Sequence, residues 1–143
     1  MQRFIDFHTH AFPDALAARA IRQLLSEAEG VTAYVDGRVS SLIRSMDENH
    51  IETSVLCSIA TRPKQFEPIF EWSCAIASER IVPFPSVHPA DPQAVERIGR
   101  IAEAGFKGVK MHPYYQDFCV DDPAVLPLYE AICGHGLMLT LHT

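Results

Sequence analysis

The sequence ends in Leu137-Met-Leu-Thr-Leu-His-Thr143, a short apolar run that finishes in a histidine and a threonine. Its length and composition are those of a buried strand in a parallel sheet. Natural domains rarely stop on the last residues of such a strand, without a helix to cover it. We therefore expect these 143 residues to hold only part of a larger α/β domain.

Short apolar runs of this kind recur upstream and alternate with amphipathic segments. The predicted strands cover residues 4–7, 53–59, 81–87, 106–111 and 137–141. The predicted helices cover about residues 14–29, 41–49, 67–78, 91–104 and 123–134. Residues 31–37 are interpreted as a short extended segment. Pro83 and Pro85 count against the third strand, because proline cannot donate to a sheet ladder.

The regular alternation of strand and helix indicates a parallel sheet with helices packed outside it. Two architectures fit: an open doubly wound sheet and a (β/α)8 TIM barrel of about 250 residues. The first predicted strand is not followed by the glycine-rich phosphate loop of a dinucleotide-binding sheet. We therefore predict an α/β fold in which residues 1–143 form the N-terminal part of a single (β/α)8 TIM-barrel domain, truncated after strand five.

Composition excludes several classes of protein. Hydrophobic residues make up 48% and charged residues 21% of the sequence, which is typical of a folded chain rather than a disordered one. Lys and Arg number 12 against 18 Asp and Glu, a net charge of −6, so nucleic acid and anionic membranes are not expected as partners. The irregularly spaced cysteines, with no signal peptide or membrane span, predict a cytoplasmic protein with reduced, structural thiols.

Three histidines are candidate metal ligands. His8 and His10 end the first predicted strand, where side chains two positions apart share a face and lie about 6.6 Å apart along the strand. The carboxyl ends of barrel strands form the active-site mouth, so this pair is placed to share one ion. His142 ends the fifth strand and is the candidate third ligand. The alternatives are a polar strand end and an ordinary terminal histidine.

Four further residues are candidates for the same site. Lys110 lies late in the fourth strand, where a lysine is costly to bury unless it pairs or loses its charge. Three interpretations stay open: a carbamylated lysine that bridges a second metal, a contact to a substrate carboxylate, or a side chain that snorkels from the rim. His112 and Tyr114 are candidate substrate contacts in the following loop. Asp6, one layer below His8, is a candidate carboxylate for orienting the ligand imidazole.

Four segments follow one another, in order, along nearly the whole chain. They are Ile5-Asp-Phe-His-Thr-His-Ala-Phe-Pro13, Val87-His-Pro-Ala-Asp-Pro92, Gly105-Phe-Lys-Gly-Val-Lys-Met-His-Pro113 and Leu139-Thr-Leu-His-Thr143. Together, with the β/α spacing between them, they resemble the amidohydrolase superfamily in its amidohydrolase-related (amidohydrolase 2) branch. Each segment alone is modest support, and the ordered set is strong.

The resemblance implies a (β/α)8 barrel with a catalytic divalent metal, most often zinc. His8 and His10 match the strand-one ligands of the family, and His142 matches the strand-five ligand. Lys110 lies where some superfamily members carry a carbamylated lysine, so the resemblance makes it a candidate catalytic residue. The family also uses a strand-six histidine and a strand-eight aspartate, which would lie beyond Thr143, so these residues alone hold an incomplete site.

The activity implied is hydrolysis of an amide, lactone or ester carbonyl of a small-molecule substrate by metal-activated water. The same branch also resembles non-oxidative decarboxylases. A phosphoesterase of the PHP type, which likewise opens on a His-x-His, is a further alternative, as is a half-barrel that binds metal without turnover. Since a half-barrel exposes two strand edges, a homodimer is the expected oligomer.

Overall fold

Five parallel strands form the centre of the molecule. The computed structural model describes residues 4–27, 30 and 32–142. The strands are β1 (Phe4–Thr9), β2 (Ile51–Cys57), β3 (Ile81–Phe84), β4 (Gly108–Met111) and β5 (Met138–Leu141). β1, β2 and β3 pair side by side in one parallel sheet, and β4 pairs with β5 in parallel in a second sheet.

Helices connect consecutive strands. They are α1 (Asp14–Glu27) and α2 (Val39–Glu48) before β2, α3 (Phe66–Ile76) before β3, α4 (Ala94–Glu103) before β4, and α5 (Pro113–Gln116) and α6 (Leu126–Gly134) before β5. Single 3-10 turns over Pro63–Gln65 and Pro123–Val125 lead into α3 and α6. Each begins with proline, at a position where the missing N–H has no helical partner to lose.

Two prolines interrupt the sheet between β3 and β4. The backbone carbonyl of Phe84 points towards β2, where it accepts the backbone N–H of Ser58. Because backbone groups alternate in direction along a strand, those of Pro83 and Pro85 point towards β4. Neither proline can donate to a ladder on that side. The carbonyl of Pro85 still accepts the backbone N–H of Lys110 at 2.9 Å. The third strand consequently ends at Phe84, earlier than predicted.

The hydrophobic core has two main clusters, one on each side of the break between β3 and β4. One cluster packs α4 and α6 against β4, and its buried members are Phe66, Val87, Ala94, Ile98, Ile101, Val109, Met111, Leu128 and Ile132. A second cluster packs α2 against β2 and β3, and its buried members are Ala11, Leu42, Met46, Leu56 and Ile81. Because Val109 and Met111 face the helices, Gly108 and Lys110 face the opposite, inner side of β4.

An aromatic layer lies on this inner side, one step before Lys110. The ring of Phe84 packs over Gly108, where an added Cβ would lie 2.3 Å from Phe84 Cε2. Only glycine fits at this position. Phe7 packs edge-on against Phe84, with ring centroids 5.7 Å apart and an interplanar angle of 88°.

The predicted strands and helices are all present among the described residues, with ends shifted by a few positions. Residues 32–37 form no strand, and a single bridge joins Phe12 to Arg38 instead. Residues 28, 29 and 31, where the first predicted helix ends and the extended segment begins, lie outside the described residues. The short helix α5 was not predicted.

The cysteines are free thiols, and only one of them is buried. Cys57 lies on the inner side of β2, whereas Cys74, Cys119 and Cys133 are exposed, so a structural role in packing holds for Cys57 alone. Within the part of the chain that the structure describes, no helix combines the length and apolar character needed to cross a membrane.

Candidate metal centre

His8, His10 and His142 lie together at the carboxyl ends of β1 and β5. The ring centroids of His8 and His10 are 5.0 Å apart, and those of His8 and His142 are 5.8 Å apart. The backbone N–H of His142 donates to the carbonyl of Met111 at 3.3 Å, which extends the pairing of β4 and β5 by one residue. The fold thus brings the two ends of the sequence to one place.

Hydrogen bonding fixes the protonation pattern of His10. Its Nδ1 lies 2.9 Å from the carbonyl oxygen of Cys57, and since a carbonyl only accepts, Nδ1 carries the proton and Nε2 presents a lone pair. Burial lowers the pKa of His10 to about 4, against a weaker opposing effect of the Cys57 carbonyl. A neutral imidazole held in this way by a backbone carbonyl is typical of a metal ligand.

Lys110 lies against His8. Its side chain is 0% exposed, and its Nζ lies 3.3 Å from Nε2 of His8, from which it is separated by 102 residues of sequence. Burial lowers the pKa of Lys110. Burial, followed by the positive charge of Lys110, lowers the pKa of His8. The lysine predicted from sequence therefore contacts a candidate ligand directly.

His112 packs on the other side of His142. The two rings stack with centroids 4.3 Å apart and an interplanar angle of 12°. Nδ1 of His112 accepts the backbone N–H of Tyr115 at 3.3 Å, so the proton of the neutral ring is on Nε2. Burial, together with His142 and Lys110, lowers the pKa of His112 to about 4. His112 is thereby a hydrogen-bond donor beside the histidines rather than a further ligand.

Tyr114 and Asp6 lie at the margin of the histidine cluster. The side chain of Tyr114 is 82% exposed and packs on Tyr115, and it is Tyr115 that contacts the His112 ring, at 4.3 Å between centroids. Asp6 Oδ1 accepts the backbone N–H of His8 at 3.2 Å. Asp6 therefore acts on the main chain of His8, where the sequence predicted a contact to its imidazole.

Gln116, at the end of α5, was missed by the sequence analysis. It is buried, and its Oε1 accepts the backbone N–H of His112 at 2.8 Å. Its Nε2 donates to the carbonyls of Ala60 and Val87 at 2.9 and 2.8 Å, and Ser86 Oγ lies at 3.3 Å. One side chain thus ties together the loops after β2, β3 and β4. The Pro113-Tyr-Tyr-Gln116 run after His112, which has proline at the first helical position, was the available signal for α5.

The donors suit a divalent metal by their chemistry. Three imidazoles lie side by side at the end of the barrel strands where metal sites are built, and one of them is already oriented by a backbone carbonyl. They do not converge: across residues 4–27, 30 and 32–142, no three His, Cys, Asp or Glu side chains are arranged to hold one ion. Nε2 of His8 is directed at Lys110 instead.

Solved structures share this fold. Over 98% of the chain, the apo IDCase of Metarhizium anisopliae matches with a TM-score of 0.71 and 16% identity. The 5-carboxyvanillate decarboxylase LigW2 of Novosphingobium aromaticivorans, with bound manganese and 3-methoxy-4-hydroxy-5-nitrobenzoic acid, matches over 98% with a TM-score of 0.68 and 18% identity. A probable 2-pyrone-4,6-dicarboxylic acid hydrolase of Acinetobacter baumannii, with citric acid bound, matches over 99% with a TM-score of 0.57 and 16% identity.

In each of these comparisons the chain spans about half of the solved structure, 50% of its length. No curated protein matches the sequence. The five strands and their helices are therefore part of a (β/α)8 barrel, as predicted. The amidohydrolase family model matches residues 5–143, and this confirms the resemblance seen in the four sequence segments. With nearly all of its residues in that match, the chain belongs to the amidohydrolase family.

Proposed function

We propose that the chain carries the metal-binding half of the active site of a metal-dependent hydrolase that acts on an amide, lactone or ester carbonyl. The observation that carries the proposal is the grouping of His8, His10 and His142 at the carboxyl ends of β1 and β5. In a barrel enzyme this end of the strands holds the reacting groups. Membership of the amidohydrolase family supports the same assignment.

His8, His10 and His142 are the proposed ligands, and a divalent ion bound by them supplies an activated water and polarises the carbonyl. His10 is prepared for this role, because the Cys57 carbonyl holds its Nδ1–H and leaves Nε2 free. His112 stacks on His142 and presents Nε2–H, a donor suited to a substrate oxygen. Gln116 holds the backbone of His112 in place.

Decarboxylation of a carboxylated small molecule is the second candidate. The observation that favours it is the ammonium of Lys110 beside His8, since a cation next to the metal ligands suits a substrate carboxylate. LigW2, one of the structures with this fold, is a decarboxylase with bound manganese. We therefore propose zinc or manganese as the ion, each to be tested.

The metal site is tested by stoichiometry. The purified chain is stripped with a chelator, reloaded with Zn²⁺ or Mn²⁺, passed through a desalting column and analysed by plasma mass spectrometry. We expect about one ion per chain, and loss of that ion in His10→Ala. His135→Ala, which removes an exposed histidine at the end of α6, is the matched control. Equal metal content in the two variants contradicts the proposed ligand set.

The reaction is tested on three substrate classes: lactones and esters, carboxylated aromatic acids, and phosphate monoesters. Metal-dependent hydrolysis of the first class supports the main proposal. Metal-dependent release of CO₂ from the second establishes the decarboxylase instead. Turnover of phosphate monoesters alone favours a phosphoesterase, and stoichiometric metal without turnover favours a binding module.

A further inference from the structure

Lys110 has an unusual environment for a lysine. It is fully buried on the inner side of β4, with neighbours that include Cys57 and His8. Among the residues that the structure describes, no Asp or Glu lies within salt-bridge distance of its Nζ. The hydrogen bond to Nε2 of His8, at 3.3 Å, is the contact that compensates the buried ammonium.

This contact engages Nε2 of His8, the nitrogen through which His8 would bind a metal ion. An ammonium group has three donors and no acceptor, so Nε2 of His8 must accept with its lone pair. A lone pair given to Lys110 is not available to a metal ion through the same nitrogen. Burial makes the contact costly to break, because a buried charge without a partner is strongly unfavourable.

The same contact affects one of the three candidate ligands. His10 presents a free Nε2, and the ring of His142 lies 5.8 Å from that of His8, yet the three donors do not converge on one point. Nε2 of His8 lies 3.3 Å from Nζ of Lys110 on β4. His8 is therefore one donor of the three whose lone pair is already engaged.

We infer that Lys110 competes with a divalent metal ion for His8: its ammonium holds the lone pair of Nε2 and thereby weakens the affinity of the site for divalent cations. The inference rests on the proposed metal centre. If Nε2 of His8 bound an ion, the ammonium of Lys110 would lose this acceptor and need another. This ammonium, which is buried against His8, would then be available to an anionic substrate.

The inference is tested by whether one substitution raises or lowers the affinity for Zn²⁺. Lys110→Met leaves an unbranched side chain that is one heavy atom shorter and removes the donor and the charge. We expect it to bind Zn²⁺ about tenfold more tightly than the wild type, as measured by competition with a chromogenic chelator, because a hydrogen bond from a charged group no longer opposes the metal. Lys107→Met, which removes an exposed lysine three residues earlier, controls for general charge and leaves the affinity unchanged.

Weaker or equal affinity of Lys110→Met overturns the inference while leaving the metal centre in place. A carbamate on Lys110 predicts the weaker affinity together with a carbamate carbon signal after labelling with ¹³C-bicarbonate. Failure of wild type, Lys110→Met and Lys107→Met alike to bind metal overturns the metal centre itself. Circular dichroism checks folding; if Lys110→Met does not fold, Lys110→Gln, which keeps a neutral donor, replaces it and must still bind more tightly than the wild type.

A double-mutant cycle adds a second readout. In the His8→Ala background the lone pair is absent, so Lys110→Met has no competition to relieve. We expect the gain in Zn²⁺ affinity to vanish there. A gain of the same size in both backgrounds shows a general electrostatic effect of the lysine and overturns the competition for His8.

Discussion

The backbone N–H of Lys110 donates to the carbonyl of Pro85 at 2.9 Å, and this bond crosses the break between the two sheets. It orients β4 so that the side chain of Lys110 faces inward and meets His8. A ladder interrupted by prolines on β3 thus still places a lysine of β4 against a histidine of β1.

Gly108 tests the packing on the inner side. Gly108→Ala places a methyl group 2.3 Å from the ring of Phe84, so we expect a loss of about 2–3 kcal/mol in the free energy of unfolding, measured by urea titration. Gly134→Ala, at the end of α6, meets nothing within 4 Å and is the matched control, with no loss expected. A Gly108→Ala protein as stable as the wild type contradicts this packing.

Substitution of Gln116 tests the hydrogen bonds that connect the loops after β2, β3 and β4. Gln116→Leu leaves the N–H of His112 and the carbonyls of Ala60 and Val87 without their partner, which we expect to cost about 3 kcal/mol in unfolding free energy. Gln93→Leu, at an exposed position before α4, should change the stability little. If the two variants unfold at the same urea concentration, the hydrogen bonds of Gln116 do not stabilise the fold as expected.

Arg97 and Arg100 form a matched pair of cations over the ring of Phe66. Arg97→Met leaves the buried carboxylate of Asp91 without its partner, at a cost of about 3 kcal/mol. Arg100→Met breaks a pair with Glu67 that is open to solvent, so a much smaller effect is expected. Thermal unfolding followed by circular dichroism compares the stability of the two variants, and we expect the lower melting temperature for Arg97→Met. A lower melting temperature for Arg100→Met contradicts the larger contribution of the buried ion pair.

Thiol reactivity tests the environment of Cys57. Burial raises the pKa of the Cys57 thiol to about 11, so at pH 8 almost no thiolate is present there. Cys74, Cys119 and Cys133 are exposed. We expect iodoacetamide at pH 8 to modify these three within the time in which Cys57 stays intact, as read by peptide mass spectrometry. In urea all four should react; early modification of Cys57 in the native protein speaks against its burial.

Periodicity and strand-end chemistry predicted most of the fold and the candidate ligands. The alternation of β1 brings the rings of His8 and His10 to 5.0 Å between centroids, and this neighbourhood could be read from the sequence because side-chain direction in a strand is a local property. The four-residue helix α5 is too short to show a helical period of apolar residues. The end of β3 depended on which neighbouring strand the backbone of Pro85 points to, and the sequence does not report this. The contacts of Lys110 with His8 and of Gln116 with Ala60 join distant parts of the chain, so no local pattern reports them.

The proline break between β3 and β4 coincides with a division of the hydrophobic core into two main clusters, and we expect each cluster to unfold as a unit of its own. One is built on Leu56 and Met46, and the other on Ile98 and Met111, with α3 spanning both. His8 lies on β1 and His10 just after it, in the sheet of β1, β2 and β3, whereas Lys110 lies on β4 and His142 just after β5, in the other sheet. The histidine cluster is therefore assembled from both sheets, and we expect it to be lost when either part of the core unfolds.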